Sequence, residues 1–179
     1  MKSNLNSEIQ QKNFQRKKKY QREIIWKYSN VKNYKGCLEA AESYSSRFDD
    51  NDQDVWNMRY IANRQLGRVD AARKCIDKAL EISPDNGALI YNFSIFLEDQ
   101  QGELAALKFL EEKYSKIDEY NDIELRILLL KNNLGYDVVQ DATAIVKEYK
   151  DNSWLFSQFT KKNLLPSIFK IAGEPYSYV

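Results

Sequence analysis

The feature that most constrains the fold of this chain is a turn signal that recurs at an almost fixed interval. The signals Asn33-Tyr34, Gly67, Gly102 and Gly135 are separated by 34, 35 and 33 residues. Each signal is followed by a segment with the apolar spacing of an amphipathic helix, and another helical segment lies before it. Two helices per roughly 34 residues, four times over, predict an internal repeat of helical hairpins.

The individual segments predict which helix faces are buried. In RVDAARKCIDKALEI the predicted core face is Val69, Ala72, Ile76 and Ala79. In GALIYNFSIFLED it is Ile90, Phe93, Ser94 and Leu97, and in YDVVQDATAIVKEY it is Val138, Ala142, Ile145 and Tyr149. Only 3 Pro and 6 Gly occur in the 179 residues, so long uninterrupted helices are favoured over strands and turns. We therefore predict an all-α fold.

These residues resemble the tetratricopeptide repeat family. The best match runs from Trp56 to Asn86, with the family's usual residue types at Trp56, Leu66-Gly67, Ala72, Ala79-Leu80, Ile82 and Pro84-Asp85-Asn86. A second match runs from Ile90 to about Tyr114, and weaker ones cover roughly 18–51 and 120–151. The resemblance implies a right-handed α-α superhelix of about four hairpins over residues 18–151. Arg59 and Tyr60 depart from the pattern, because the family usually places Leu and a small residue there.

Both ends of the repeat array need covering, because a hairpin cannot bury its apolar face alone. Residues 1–17 form a basic N-terminal extension. Residues 152–172 are rich in large apolar side chains, and we predict a capping helix there that is broken near Pro166. Residues 173–179 are a tail.

Charge is distributed unevenly along the chain. The formal net charge is +1, but residues 1–35 carry ten Lys or Arg against two Glu. The basic arm comprises Lys12, Arg16, Lys17, Lys18, Lys19 and Arg22. Its side chains could contact the phosphates of nucleic acid or an anionic surface. Alternatively, the arm is a solvated helix extension or a flexible segment. Such an arm could also dock on an acidic partner or on a second copy of the chain.

The composition argues against catalysis and against a cofactor. The chain has no His, which removes the commonest general base near neutral pH and the commonest metal ligand. No Gly-rich phosphate loop or nucleophile motif is present. Cys37 and Cys75 lack the CxxC spacing, so we predict two reduced, buried thiols, with a disulfide or reactive pair as the alternative. The chain is therefore expected not to be an enzyme.

One acidic stretch, FDDNDQDVW, resembles the start of a calcium loop through Asp50, Asp52 and Asp54. Val55 stands where such a loop needs Gly, and Ile61 stands where it needs Glu. We therefore expect a loop in which Asp or Asn caps the following helix, and no metal site.

In tetratricopeptide repeats the first helix of each hairpin lines the partner-binding groove. Carried over to this chain, the resemblance implies twelve groove positions, three per hairpin. They are Arg22, Trp26, Ser29, Trp56, Tyr60, Asn63, Tyr91, Ile95, Glu98, Glu124, Leu128 and Lys131. The alternative for any of the aromatic residues is burial between helices.

The expected function is a non-catalytic module or adaptor that binds a peptide or helix of another protein, with chaperone-like activity as one form. A factor that acts on nucleic acid or a membrane surface through the basic arm is the first alternative. A structural subunit that forms homo-oligomers is the second. No segment has the apolar length of a signal peptide or membrane span, which favours the cytoplasm.

Overall fold

The computed structural model describes residues 2–48, 50–114, 121–151 and 164–176. Within these residues the regular elements are all helices, which confirms the all-α prediction. The helices are α1 (Lys2–Asn30), α2 (Tyr34–Arg47), α3 (Gln53–Gln65), α4 (Val69–Ile82), α5 (Gly87–Gln101), α6 (Glu103–Tyr114), α7 (Asn121–Asn133), α8 (Val139–Asp151) and α9 (Leu165–Ile171).

Short polar side chains begin three of the helices. The Asn33 side chain accepts a hydrogen bond from the Gly36 N–H at 3.1 Å, which caps α2. The Asn86 side chain caps α5 in the same way, accepting from the Leu89 N–H at 3.2 Å. Asp52 caps α3. These side chains satisfy backbone donors that have no partner inside the helix, so they fix where each helix starts.

A common turn ends four of the helices. After α3, the Arg68 N–H donates to the Asn63 carbonyl and the Gly67 N–H donates to the Arg64 carbonyl, with Gly67 at φ +70°. This pair of bonds is the Schellman motif. It recurs at Gly135, Gly173 and Lys32, and Lys32 adopts φ +59° although it is not a glycine. Three of the four turn signals in the sequence, those at Asn33-Tyr34, Gly67 and Gly135, thus coincide with this turn, whereas Gly102 ends α5 without it.

The chain divides into two compact units, and the N-terminal unit covers Met1–Pro84. In this unit α1 packs on α2, α2 on α3 and α3 on α4, and α3 also contacts α1. Its core includes the side chains of Ile25, Cys37, Ala41, Tyr44, Val55, Met58 and Ala62. On α4 the buried residues are Ala72, Cys75, Ile76 and Ala79. The placement of Val69 in the core face was wrong, because Val69 is exposed in the first turn of α4.

Both cysteines are free and buried in the N-terminal unit, as predicted from their helical surroundings. Burial raises the pKa of the Cys37 thiol to about 11, and burial also raises the pKa of Cys75. The neutral thiol is therefore the form that the core favours at physiological pH.

The C-terminal unit covers Asp85–Val179. The predicted core face of α5 is confirmed, since Ile90, Phe93, Ser94 and Leu97 are all buried. A second core contains Leu125, Leu128, Val138, Ala142, Ile145, Val146, Leu165, Ile168 and Phe169, drawn from α7, α8, the turn before α8, and α9. Tyr149 of the predicted α8 face lies outside the residues whose side chains are described.

The predicted capping segment lies partly outside the described residues, from 152 to 163. The described part forms α9, which has Pro166 in its first turn, where the missing N–H costs no helical hydrogen bond. Leu165, Ile168 and Phe169 of α9 pack against α7 and α8, so α9 covers the apolar side of that helix pair.

Candidate functional site

An acidic turn before α3 ties three helices of the N-terminal unit together. Asp52 caps α3, with its Oδ1 accepting from the N–H groups of Asp54 and Val55 at 3.2 and 3.4 Å. Its other oxygen accepts a hydrogen bond from the Tyr44 hydroxyl of α2 and lies 3.7 Å from Arg22 of α1. Arg22 also pairs with Asp54 at 3.3 Å. The predicted capping role of this turn is confirmed.

The carboxylates that suggested a calcium loop are paired with arginines. Asp50 forms an ion pair with Arg59 at 3.3 Å, and Asp52 and Asp54 pair with Arg22. Across the described ranges, no group of three or more Cys, Asp or Glu residues is arranged to hold a metal ion.

Above this turn, α1 and α3 enclose a shallow depression of about 340 Å³, which we call the α1–α3 depression. It is lined by Lys19, Arg22, Glu23, Trp26, Asp54 and Met58. The Met58 side chain is buried at its floor, whereas Trp26 at its edge is 58% exposed. The structure therefore brings together two of the predicted groove residues, Arg22 and Trp26, which lie one helical turn apart on α1.

The predicted groove positions on α3 are engaged within the unit. The Trp56 indole N–H donates to the Asp50 carbonyl at 2.6 Å, and the Arg59 guanidinium lies over the Trp56 ring, 4.5 Å from its centroid. Tyr60 is 1% exposed. Asn63 is buried, and its amide donates to the Arg59 carbonyl at 2.9 Å.

Arg59 itself, which departs from the family pattern, connects α3 to α2. One of its nitrogens donates to the Ala41 carbonyl at 3.0 Å and to the Ser45 hydroxyl at 2.9 Å. A leucine could not make these bonds, so the departure has a structural reason. Ser29, the remaining predicted groove residue of α1, is half-buried, and its carbonyl accepts the Lys32 N–H in the turn after α1.

In the C-terminal unit, an arginine that was not among the predicted site residues occupies the centre of the α5–α7 contact. Arg126 of α7 donates to the Ser94 hydroxyl at 2.6 Å, forms an ion pair with Glu98, and lies 5.3 Å from the centroid of the Tyr91 ring. Burial raises the pKa of Tyr91, and the charge of Arg126 opposes that rise. Two predicted groove residues of α5, Tyr91 and Glu98, are thus engaged by α7, while Ile95 is half-buried.

A sequence signal for Arg126 does exist. It is the one cation in the run IELRILLL of α7, where a buried charge is costly unless it is paired. Its partners on α5, however, lie about 30 residues away in the sequence, so periodicity alone could not identify them.

The predicted groove residues of α7 lie together. Glu124, Leu128 and Lys131 line a depression of about 240 Å³ between α7 and α8, together with Asp141 and Glu148. Desolvation raises the pKa of Glu124, and the carboxylates of Glu148 and Asp141 raise it further, although the residue as a whole remains exposed. Lys131 pairs with Glu111 at 2.9 Å.

The basic arm lies within α1 and is helical. Lys18 and Arg22 face the rest of the unit: Lys18 lies 6.0 Å from the centroid of the Tyr44 ring, and Arg22 pairs with the acidic turn. The other four cations of the arm are exposed, and they are Lys12, Arg16, Lys17 and Lys19. Phe14 anchors this part of α1 by an edge contact with Phe48.

Comparisons with known proteins add no relative: no family model matches the chain, and no curated protein or solved structure matches it significantly. Among the described helices, none combines the length and apolar character needed to cross a membrane.

Proposed function

We propose that this protein is a non-catalytic protein-binding module of the tetratricopeptide type, and that a segment of a partner protein binds in the α1–α3 depression. In the finer form of the proposal, the hairpins stack as a right-handed superhelix and act in the cytoplasm. Within each unit, the packing of neighbouring helices such as α3 on α4 and α5 on α6, the contacts of α1 with α3 and of α5 with α7, and the recurring turn all support a repeat array.

The observation that carries the binding proposal is the exposure of Trp26. A tryptophan that is 58% exposed leaves a large apolar surface in water, and Arg22 and the buried Met58 lie beside it. Tryptophan and arginine are enriched among the residues that dominate binding energy in protein interfaces. The other predicted groove aromatics, Trp56, Tyr60 and Tyr91, already make contacts within their own units.

The depression also offers charges of both signs around the indole. Lys19 and Glu23 are exposed at its edge, while Arg22 is partly neutralised by Asp54. A partner segment that covers Trp26 with an apolar side chain could therefore place polar groups on both sides. Such an arrangement, an apolar centre with a polar rim, is the usual anatomy of a protein interface.

The test compares Trp26→Ala with Tyr20→Ala, a matched variant that removes another exposed aromatic residue of α1. Proteins captured from lysate by the full chain are identified, and a candidate is purified so that its affinity can be measured directly. We expect Trp26→Ala to weaken this affinity about 30-fold, corresponding to about 2 kcal/mol, with Tyr20→Ala close to wild type. Equal affinity of the wild type and Trp26→Ala for every purified partner would overturn the proposal.

A further inference from the structure

The outer face of α1, defined here as the exposed surface around Lys12, Arg16 and Lys19, carries a cluster of cations and borders the α1–α3 depression at Lys19. Lys12, Arg16 and Lys19 follow the spacing i, i+4, i+7, so they form one stripe on the helix surface. All three are exposed, as is Lys17 beside them. Within the part of the chain that the structure describes, these four side chains have no ion-pair partner, in contrast to Arg22, which pairs with the acidic turn.

The stripe is uninterrupted by acidic residues. No Asp or Glu occurs between Glu8 and Glu23, so four exposed positive charges lie within about two helical turns. Four such charges repel one another, and the acidic residues nearest to them on α1, Glu8 and Glu23, lie only at the two ends of the stripe. A polyanion would offset this repulsion, and binding would be favoured further because each Lys or Arg that neutralises a phosphate releases counterions condensed on the nucleic acid into solution.

An exposed aromatic residue lies beside the stripe. Tyr20 is 62% exposed, and it follows Lys19 directly and lies one turn beyond Arg16 and Lys17. A ring in that position can stack on an unpaired base while the neighbouring cations contact the backbone. Proteins that bind single strands without sequence preference combine these two elements, a cationic track and an aromatic surface.

We infer that the outer face of α1 binds single-stranded nucleic acid, with Lys12, Arg16, Lys17 and Lys19 on the phosphates and Tyr20 stacked on a base. A duplex fits this face less well, because paired bases offer no free ring to Tyr20. A lipid surface also fits less well. The exposed apolar residues of α1, such as Ile9, Phe14 and Trp26, point in different directions around the helix, whereas an interfacial helix needs one apolar face.

The experiment measures binding of the full chain to oligo(dT) and to oligo(U) of about 16 nucleotides by fluorescence anisotropy. The test variant changes Lys12, Arg16, Lys17 and Lys19 to Gln. A matched control removes four positive charges from the same unit by changing Arg68, Arg73, Lys74 and Lys78 to Gln. Circular dichroism of each variant establishes that the helices are retained, and Gln is a good helix former.

At about 50 mM salt we expect the α1 variant to lose at least tenfold in affinity and the α4 control less than twofold. The logarithm of the wild-type affinity should fall with the logarithm of salt concentration at a slope of about −2 to −3, as expected for four phosphate contacts on a single strand. Tyr20→Ala should lose about fivefold, whereas Trp26→Ala should bind as tightly as the wild type. Binding of either oligonucleotide in this pattern supports the inference and indicates whether DNA or RNA is preferred.

Three results would overturn the inference. They are an equal loss in the α1 and α4 variants, tighter binding to a duplex that Tyr20→Ala leaves unchanged, and binding to anionic phosphatidylserine vesicles without binding to either oligonucleotide. Because Trp26 and Tyr20 are separate variants, failure here would leave the proposed protein-binding site in the α1–α3 depression untouched.

Discussion

Each unit has an arginine, Arg59 on α3 and Arg126 on α7, that connects its helix to a neighbouring one, and the two arginines point in opposite directions along the chain. In the N-terminal unit Arg59 points from α3 back to α2 and to the exposed carboxylate of Asp50, and Trp26 on α1 remains open to solvent. In the C-terminal unit Arg126 points from α7 to α5 and engages Tyr91 and Glu98. When the units are aligned on Gly67 and Gly135, the arginine of α7 lies one position earlier than that of α3.

One position on a helix is a rotation of about 100°, which is enough to redirect a side chain from one neighbouring helix to another. The comparison therefore explains why equivalent predicted groove positions differ. On α1 the predicted groove residue Trp26 is open to solvent, whereas on α5 Tyr91 and Glu98 are engaged by Arg126. Groove positions taken from a repeat family therefore show where a binding surface lies only after the contacts of each arginine in the structure are known.

The largest expected effect comes from removing Arg126. Arg126→Met should lower the free energy of unfolding by about 2–3 kcal/mol, because it leaves the Glu98 carboxylate and the buried Ser94 hydroxyl without this donor. The measurement is urea denaturation followed by circular dichroism. The double variant Arg126→Met with Glu98→Gln should recover part of the loss, since no unpaired charge remains.

Two controls sharpen this result. Arg59→Met should cost less, about 1 kcal/mol, because its partner carboxylate, the side chain of Asp50, is 60% exposed. Arg73→Met breaks an exposed pair with Asp77 on the surface of α4 and should cost less than about 0.5 kcal/mol. If Arg126→Met lowers the free energy of unfolding no more than Arg73→Met does, the contacts of Arg126 stabilise the C-terminal unit no more than an exposed ion pair, and the comparison fails.

A smaller effect concerns the turn that both units share. Lys32 holds the left-handed conformation that Gly67 and Gly135 hold elsewhere, and a residue with a Cβ is strained there. Lys32→Gly should therefore raise the free energy of unfolding by about 0.5–1 kcal/mol. Lys32→Ala removes the same charge without relieving the strain, so a gain of similar size in Lys32→Ala would contradict this explanation.

The smallest effect concerns Glu124 in the C-terminal unit. Its pKa is raised in the folded state, so the folded protein binds the proton more tightly, and stability is lost as pH rises above the ordinary value of 4.5. Glu124→Gln should stabilise the protein by less than about 0.5 kcal/mol at pH 7, because the residue is exposed and screened. The gain should vanish below about pH 4, where the carboxyl is protonated in both states.

The matched control is Glu42→Gln, which removes an exposed carboxylate of the N-terminal unit. Denaturation curves of the wild type and of both variants are recorded at several pH values. A gain in stability from Glu124→Gln that increases as pH falls would contradict the raised pKa of Glu124.

Local signals in the sequence were sufficient to locate most helices. The segment starting at Tyr34 and the one ending at Ile82 match α2 and α4 closely, because caps such as Asn33 and turns such as that at Gly67 depend on neighbouring residues only. Val69 was wrongly placed in the core because periodicity shows which residues share a helix face but not whether the first turn of that face is buried.

The candidate site was only partly predictable. The resemblance implied Arg22 and Trp26 as groove residues, and their i, i+4 spacing places both on one face of α1. The burial of Tyr91 depends on Arg126, a residue 35 positions away, and that of Tyr60 depends on how the helices around α3 pack. Such long-range pairings leave no periodic trace in a single sequence, so the resemblance supplied the position of these residues but not their environment.

The central claim, that the α1–α3 depression holds a partner protein, is tested most directly by photo-crosslinking in cells. A photoreactive amino acid replaces Trp26 in one variant and Arg73, exposed on α4 in the same unit, in a control. We expect position 26 to yield a discrete adduct with one partner protein and position 73 to yield none. Identical adducts at both positions, or no adduct at position 26, would contradict the account.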